Sequence, residues 1–493
     1  MRFCTITLGC KVNQYESQAI ESILNNRDHV TSVLGKGCDV CILNTCAVTA
    51  ESARKSRHAV RRMKKLEPEA LIAVFGCYSE LEPESIENLG ADIISGTRDR
   101  QGFAAEVERL FFQKDVTKHT AKDATKHTAK DTQKCLNENT RQHVPENAEK
   151  DTRQHAINHS PLASQNIFEE LPPGSTSSRT RALLKIQDGC DNFCTYCIVP
   201  YIRGRSRSLP LERVAQYAKQ LDEQGYKEIV ITGIEISSYG KDLERKSNII
   251  SLNNTENGIE NYIGNDSDIE QQIILITALM VIQASAPSVR LRLGSLDPAL
   301  LTGDFCYKLS EIPMLCNHFH LSLQSGCDET LSRMGRKYKT NQVLHTIKTL
   351  RRISNDCGIT ADLITGFPGE TDEEFEKTLK FIKKAAFSSM HIFPYSLRPG
   401  TKAAKMPDQI DTVIRKERAR RATEIAEAIE KDFKTAQIGK TVEVLFEQEK
   451  SGLYTGHSKN YLEISINEKV EKNSIHMVKI KTINNGILTG ALV

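Results

Sequence analysis

The 493-residue chain predicts an α/β fold: a small parallel domain first, a larger domain of six strand–helix repeats in the middle, and a small β-barrel last. Three observations predict it. Apolar runs of strand length alternate with amphipathic helical stretches, which builds parallel sheets with helical crossovers. Cysteines recur where those strands end, and the carboxyl ends of parallel strands are where such sheets hold ligands. After residue 438 the helical pattern stops and five short alternating runs follow, as in small barrels.

Bulk composition excludes more than it nominates. With 66 Lys and Arg against 63 Asp and Glu, the net charge is +3, so a nucleic-acid surface has to be local. The 14 cysteines are spread along the chain and do not form a disulfide framework. The strongest apolar run, Ile273–Ile282, is too short to span a bilayer, and Met1-Arg2-Phe3-Cys4 opens no signal-peptide core. The expectation is a cytoplasmic, reducing location with no membrane partner and with thiols free to bind metal.

In the first domain, residues 1–111, strands are expected at Phe3–Leu8, Val40–Leu43 and Leu71–Phe75. Glu16–Asn25 and Ser52–Leu66 are the crossover helices. Each strand delivers a cysteine at its end: Gly9-Cys10, Asn44-Thr45-Cys46 and Gly76-Cys77. That shared placement favours a metal site over three isolated core thiols. Cys4, Cys38 and Cys41 lack it and are read as structural, and a zinc site of Cys38, Cys41 and Cys46 would leave Cys10 and Cys77 unused.

Residues 112–178 differ in kind. Lys-His-Thr-Ala-Lys-Asp occurs at Lys118–Asp123 and again at Lys126–Asp131, and large apolar residues are scarce. Such a segment buries too little to offset ordering its backbone, so it reads as a disordered insert.

In the central domain, residues 179–400, strands are expected at Ala182–Ile186, Glu228–Thr232, Val289–Leu293, His318–Leu323, Thr360–Ile364 and Met390–Phe393. Helices lie between them at Leu211–Gln224, Ile273–Ala284, Asn341–Ile353 and Asp372–Ala385, and a polar insert near 243–272 reads as a surface loop. Directly after the first strand comes Cys190-Asp191-Asn192-Phe193-Cys194-Thr195-Tyr196-Cys197. Soft thiolates at this density suit an iron–sulfur cluster or zinc. Only three are adjacent, so a four-ligand structural zinc would need completion from elsewhere. Polar residues at later strand ends, Arg292, Ser295, Gln324 and Asp362, mark the active face of a barrel. The loop Pro200–Arg207 holds Tyr201, Arg203, Arg205 and Arg207, suited to stacking and phosphate contact. Arg398-Pro399-Gly400-Thr401 is a similar candidate.

Residues 401–437 form a charged helical connection, with a helix over Gln409–Ala436. The five runs of residues 438–493 are Thr441–Phe446, Leu453–His457, Tyr461–Ile466, His476–Ile483 and Ile487–Ala491.

The C-x3-C-x2-C spacing of Cys190, Cys194 and Cys197 resembles the radical S-adenosylmethionine (SAM) superfamily, which implies a partial (β/α)6 barrel. A full eightfold barrel is the alternative, but the composition changes after Phe393 without two further units. In that superfamily three cysteines hold a 4Fe–4S cluster whose open iron chelates SAM. Gly233-Ile234-Glu235 corresponds to the glycine-rich segment beside the SAM amino group, Gln324 and Asp362 to contacts with its ribose or methionine, and Gly366-Phe367-Pro368-Gly369-Glu370 to the segment against the adenine. Glu370-Thr371-Asp372 equally suits a helix cap.

Thr7-Leu8-Gly9-Cys10-Lys11-Val12-Asn13-Gln14-Tyr15-Glu16, Asn44–Thr49 and Gly76-Cys77-Tyr78 resemble the N-terminal domain of the methylthiotransferases. The resemblance implies a second 4Fe–4S cluster on Cys10, Cys46 and Cys77 that handles sulfur. "GCKVNQYES" and "TGIEISSYG" are most similar to the branch acting on N6-threonylcarbamoyladenosine at tRNA position 37. "GLYTGHSKNYLEI" and "GILTGALV" resemble a TRAM domain, an RNA-binding module; a protein-docking barrel is the alternative. The function implied is transfer of a methylthio group to C2 of that adenosine. SAM, the two clusters, the tRNA anticodon loop, an electron-donor protein and a sulfur source come with it. The competing readings are a methylthiotransferase acting on isopentenyladenosine in tRNA or on a ribosomal protein, a radical SAM enzyme whose second cluster only relays electrons, and a non-catalytic iron–sulfur RNA-binding protein.

Overall fold

The computed structural model of the chain describes residues 1–128, 156–158, 167–174, 180–243 and 267–493. They fall into two units, Met1–Gln165 and Asn166–Val493.

The first unit is built on a parallel sheet. Its strand order is Val30–Thr31, Arg2–Thr7, Val40–Thr45, Leu71–Gly76, Ile93–Ser95, Ala156–Asn158. Val40–Thr45 and Leu71–Gly76 are buried along their whole length, as central parallel strands are. The crossover helices are Lys11–Asn25, which starts five residues before the expected Glu16, and Ala50–Leu66, whose start is fixed by a Thr49–Ser52 capping box. Phe3, Ile20, Ile42, Phe75, Phe103 and Val107 pack the core.

One expectation is corrected here. The insert was expected to begin at residue 112 without structure, but a single helix runs from Arg100 to Thr128. Lengthening a helix already nucleated adds a hydrogen bond per residue, and the Lys and Ala of this stretch are good helix formers. Ala156–Asn158 adds a strand to the sheet edge inside the same segment. The rest of the 112–178 expectation, like most of the polar insert near 243–272, lies outside the described residues.

The second unit contains all six expected strands, with ends within two residues of their predicted positions. Arg181–Lys185, Glu228–Thr232 and Arg290–Leu293 form one parallel set; Ser295–Leu296, His318–Gln324, Gly358–Thr365 and Ser389–Pro394 form the other. The third strand bends at Gly294 and belongs to both sets. The two outer strands are not paired to each other among the described residues, so the six strands make an open barrel rather than a closed eightfold one. Leu184, Ile231, Leu291, Leu321 and Ala361 lie in one continuous core with the helices outside. Short elements were not foreseen, among them a hairpin of Gln187–Asp188 with Arg207–Ser208 and helices Val199–Arg203, Gly303–Ser310 and Asp328–Met334. They are too short to carry a periodic signal.

All five C-terminal runs are strands, and they close a barrel in the order Thr441–Lys450, Leu453–Ser458, Glu463–Ile466, Ile487–Leu492, Ile475–Asn484. This small barrel packs on the N-terminal ends of the central strands. Glu228, the first residue of its strand, is fully buried between Arg290 and Arg292, each 2.7 Å away. Arg290 donates to the His457 carbonyl, and Arg292 to those of Ser458 and Lys459. Tyr461 stacks on His318, with ring centroids 4.6 Å apart. Arg181 pairs with Glu447 at 3.1 Å. Burial alone would raise the Glu228 pKa, but Arg292 and then Arg290 hold it down to about 2. Arg292 is therefore an anchor of the small barrel and not a residue of the active face, as its position near a strand end had suggested.

Candidate functional site

Register brings Cys10, Cys46 and Cys77 to one edge of the first sheet. Thr7 pairs with Asn44, and Thr45 with Gly76, so the three cysteines leave adjacent strands side by side. Asn13 holds the turns together. Its Nδ2 donates to the Leu8 carbonyl, to Asn44 Oδ1 and to the Thr45 carbonyl, at 2.9–3.0 Å, while the Cys10 thiol donates to its Oδ1. Gly76, at φ +109°, has no room for a side chain: a Cβ would lie 2.5 Å from Asn44 Oδ1 and 2.7 Å from the Thr45 carbonyl. Cys46 and Cys77 are buried, and Cys10 is exposed at the mouth.

The second thiol set stands on a loop braced from below. After Arg181–Lys185 the chain enters the short hairpin, and buried Asp188 takes Lys185 and Arg203 at 3.1 Å and Arg207 at 3.7 Å. Burial opposes its charge, but Lys185, Arg203 and Arg207 hold the carboxyl well below the usual carboxylate range. Gly189, at φ +71°, lets the backbone pass the Arg205 carbonyl, from which a Cβ would be only 1.9 Å. Cys190 N–H donates to the Gly204 carbonyl, and Thr195 ties the loop to Arg333 and Met334. The basic loop Pro200–Arg207 is thereby reinterpreted: Arg203 and Arg207 are spent on Asp188, leaving Arg205 and Tyr201 exposed. Arg398 is buried as well.

Each set offers three soft thiolates, a donor set that suits an iron–sulfur cluster with one iron left open. Burial pushes the Cys190 thiol up to about 12, so loading that site must release protons.

A cavity of about 240 Å³ opens beside the second set, lined by Cys194, Glu235, Lys241, Asp297, Arg336 and Tyr338. Arg336 is its electrostatic centre. Its guanidinium lies 3.3 Å from Cys194 Sγ, 3.2 Å from Asp297 and 3.1 Å from the Tyr338 hydroxyl. Gly233 packs on Gln187, whose Oε1 accepts the Glu235 N–H at 2.8 Å. Burial, then Asp297, raises the Glu235 carboxyl to about 7, against the opposing pull of Arg336.

Of the five residues predicted for SAM, Glu235 lines this cavity with Cys194, Gly233 stands two residues before it against Gln187, and the other three belong to later strand ends and turns. Gln324 ends its strand at φ +68°, beside a register shift. Asp362 takes His320 and His391, each at 3.2 Å. Gly366 N–H donates to Glu370 Oε2, which also receives Arg418. That turn still reaches the cluster loop, because Phe367 packs between Tyr196 and Tyr395. Thr371 caps the following helix with Glu374, as the sequence allowed. Arg336 and Asp297 were missed. Asp297 directly follows a strand end, the rule that found Glu235; Arg336 follows a short helix and carries no local signal.

Comparison with known proteins adds to this geometry. Residues 184–382 match the Radical SAM superfamily, and residues 2–96 match Uncharacterized protein family UPF0004. The chain is 31% identical over 486 residues to the threonylcarbamoyladenosine tRNA methylthiotransferase MtaB of Bacillus subtilis, covering 97% of this chain and 93% of that protein. It is 30% identical over 481 residues to the protein of the same name from Thermotoga maritima, covering 97% and 94%. Against the tRNA-2-methylthio-N(6)-dimethylallyladenosine synthase of Thermoanaerobacter sp., identity is 30% over 449 residues, covering 90% and 81%. Among solved structures, the radical S-adenosylmethionine methyltransferase TsrM of Kitasatospora setae matches with a TM-score of 0.50 at 13% identity, covering 82% of this chain and 76% of that one, a likeness of fold alone.

Proposed function

This chain belongs to the radical SAM methylthiotransferase family, and from that premise we infer that it transfers a methylthio group to C2 of N6-threonylcarbamoyladenosine in tRNA. The observation that carries the reading is one chain with two three-thiol sets at the carboxyl ends of parallel strands, one of them beside a charged cavity. Similarity at 30–31% over nearly the whole chain to proteins named MtaB supports the choice of substrate. A C2–H bond of adenine is inert to side-chain acids and bases, so the reaction needs the cofactors: SAM, and two 4Fe–4S clusters that supply its reductive cleavage and the sulfur.

The protein's own residues have three tasks. Cys190, Cys194 and Cys197 hold the first cluster over the braced hairpin; Cys10, Cys46 and Cys77 hold the second. Glu235 and Arg336 present opposite charges to the cavity beside Cys194, which suits the ammonium and carboxylate of a bound amino acid. Gln324, Asp362 and Gly366 complete the proposed SAM contacts. The adenosine sits in an anticodon loop at position 37, where a base is already unpaired and costs little to present. An electron-donor protein, a sulfur source and cytoplasmic surroundings belong to the same proposal.

Mass spectrometry of tRNA nucleosides tests it. Loss of the gene, or Cys194→Ala, is expected to abolish 2-methylthio-N6-threonylcarbamoyladenosine and accumulate its unthiolated precursor, with only the wild-type gene restoring it. A fall in 2-methylthio-isopentenyladenosine instead would overturn the substrate assignment. No change in either nucleoside would overturn tRNA methylthiolation.

A further inference from the structure

Three more thiols converge in the first unit. Cys4, Cys38 and Cys41 are buried, and their Sγ atoms lie within 4.8 Å of one another. Cys4 and Cys41 sit opposite each other on adjacent parallel strands, with side chains on one face. Cys38 reaches them from the loop that precedes Val40–Thr45. The sequence paired Cys38 and Cys41 with Cys46 in its zinc alternative; the fold pairs them with Cys4. Cys41 and Cys46 are five residues apart along one strand direction, about 16 Å, so this set is separate from the edge that carries Cys10, Cys46 and Cys77.

The loop that presents Cys38 is held in place. Arg2 N–H donates to Asp39 at 2.6 Å, and the Arg2 guanidinium donates to the Lys36 carbonyl at 2.7 Å. Gly35 and Gly37 each donate a backbone N–H to Glu67 Oε1 at 2.9 Å. Buried Glu67 is thus fixed at the loop, and it is an oxygen donor beside Cys38.

We propose that Cys4, Cys38 and Cys41 form a mononuclear site for zinc, with the Glu67 carboxylate as the fourth donor. The thiols are too close together for a four-iron cluster and within reach of the roughly 3.8 Å spacing set by tetrahedral zinc–thiolate bonds. Soft thiolates select zinc over magnesium or calcium. Ion uptake displaces three thiol protons and ties two strands to the loop, a structural role at the end of the sheet remote from the sulfur chemistry.

The test uses the full chain with Cys10, Cys46, Cys77, Cys190, Cys194 and Cys197 changed to Ala, so that cluster ligands cannot capture zinc. After dialysis against zinc chloride and gel filtration, the expected content is one zinc per chain, with a sulfur shell at about 2.3 Å in zinc-edge X-ray absorption. Adding Cys41→Ser is expected to remove it; adding Cys306→Ser, a buried thiol elsewhere, is expected to leave it. A background protein that is folded by circular dichroism but takes up no zinc overturns the proposal, as does zinc retained by Cys41→Ser or lost from Cys306→Ser. Should Cys41→Ser fail to fold, the absorption spectrum of the background protein decides: a shell of oxygen and nitrogen only refutes the site.

Discussion

Changing Glu228 to Gln removes the one carboxylate buried between Arg290 and Arg292. Both guanidiniums keep their bonds to the small barrel's carbonyls, but they become buried cations without their shared anion. Breaking a buried pair this way costs about 3–5 kcal/mol. The pKa gives an independent figure. Glu228 falls from an unfolded value of about 4.3 to about 2, and at about 1.36 kcal/mol per unit that is roughly 3 kcal/mol. The sign follows from the depressed folded value: the stabilisation is full above pH 4.3 and disappears as pH falls through 2. Urea unfolding followed by circular dichroism should place the variant about 3 kcal/mol below wild type at pH 7, with the gap narrowing from pH 4.5 downward. A gap below 1 kcal/mol at pH 7, or one that widens in acid, would refute the reasoning.

The other predictions concern the two thiol sets. Asn13→Ala removes three buried hydrogen bonds, about 1 kcal/mol each, and should lower iron in reconstituted protein from about eight to about four per chain; full iron content contradicts the bracing role. Gly189→Ala forces a Cβ into the Arg205 carbonyl, so it should lose the other cluster and all SAM cleavage, and cleavage at the wild-type rate would disprove that. Arg336→Gln removes the cation that opposes the raised pKa of Glu235. The charged carboxylate then forms only at higher pH, and the acid limb of SAM cleavage should move upward; an unmoved limb counts against Glu235 as an anionic contact.

Much of this was legible in the chain because it is local. Strands followed by cysteines, helices with an apolar stripe and five alternating runs each declare themselves within a dozen residues. The shared placement of Cys10, Cys46 and Cys77 was visible this way, because parallel pairing turns a common place on separate strands into neighbourhood in space. What escaped depends on partners far away in the chain. Arg292 looks like an active-face residue until its bonds to Ser458 and Lys459 are seen. Arg203 and Arg207 look like a basic surface until Asp188 claims them. The thiols of Cys4 and Cys38 are 34 residues apart, and only the sheet register joins them. The helix to Thr128 was missed for another reason: composition describes whether a segment can fold alone, not whether it can prolong a helix already begun.

The small C-terminal barrel is seated on the floor of the central one, while the SAM-side thiols stand at the opposite rim. The strands between them are five residues long at Glu228–Thr232, or about 16 Å. A strut of that length sets the spacing of its two ends, so the seat of the small barrel and the thiol loop cannot approach or part without the parallel strands themselves giving way.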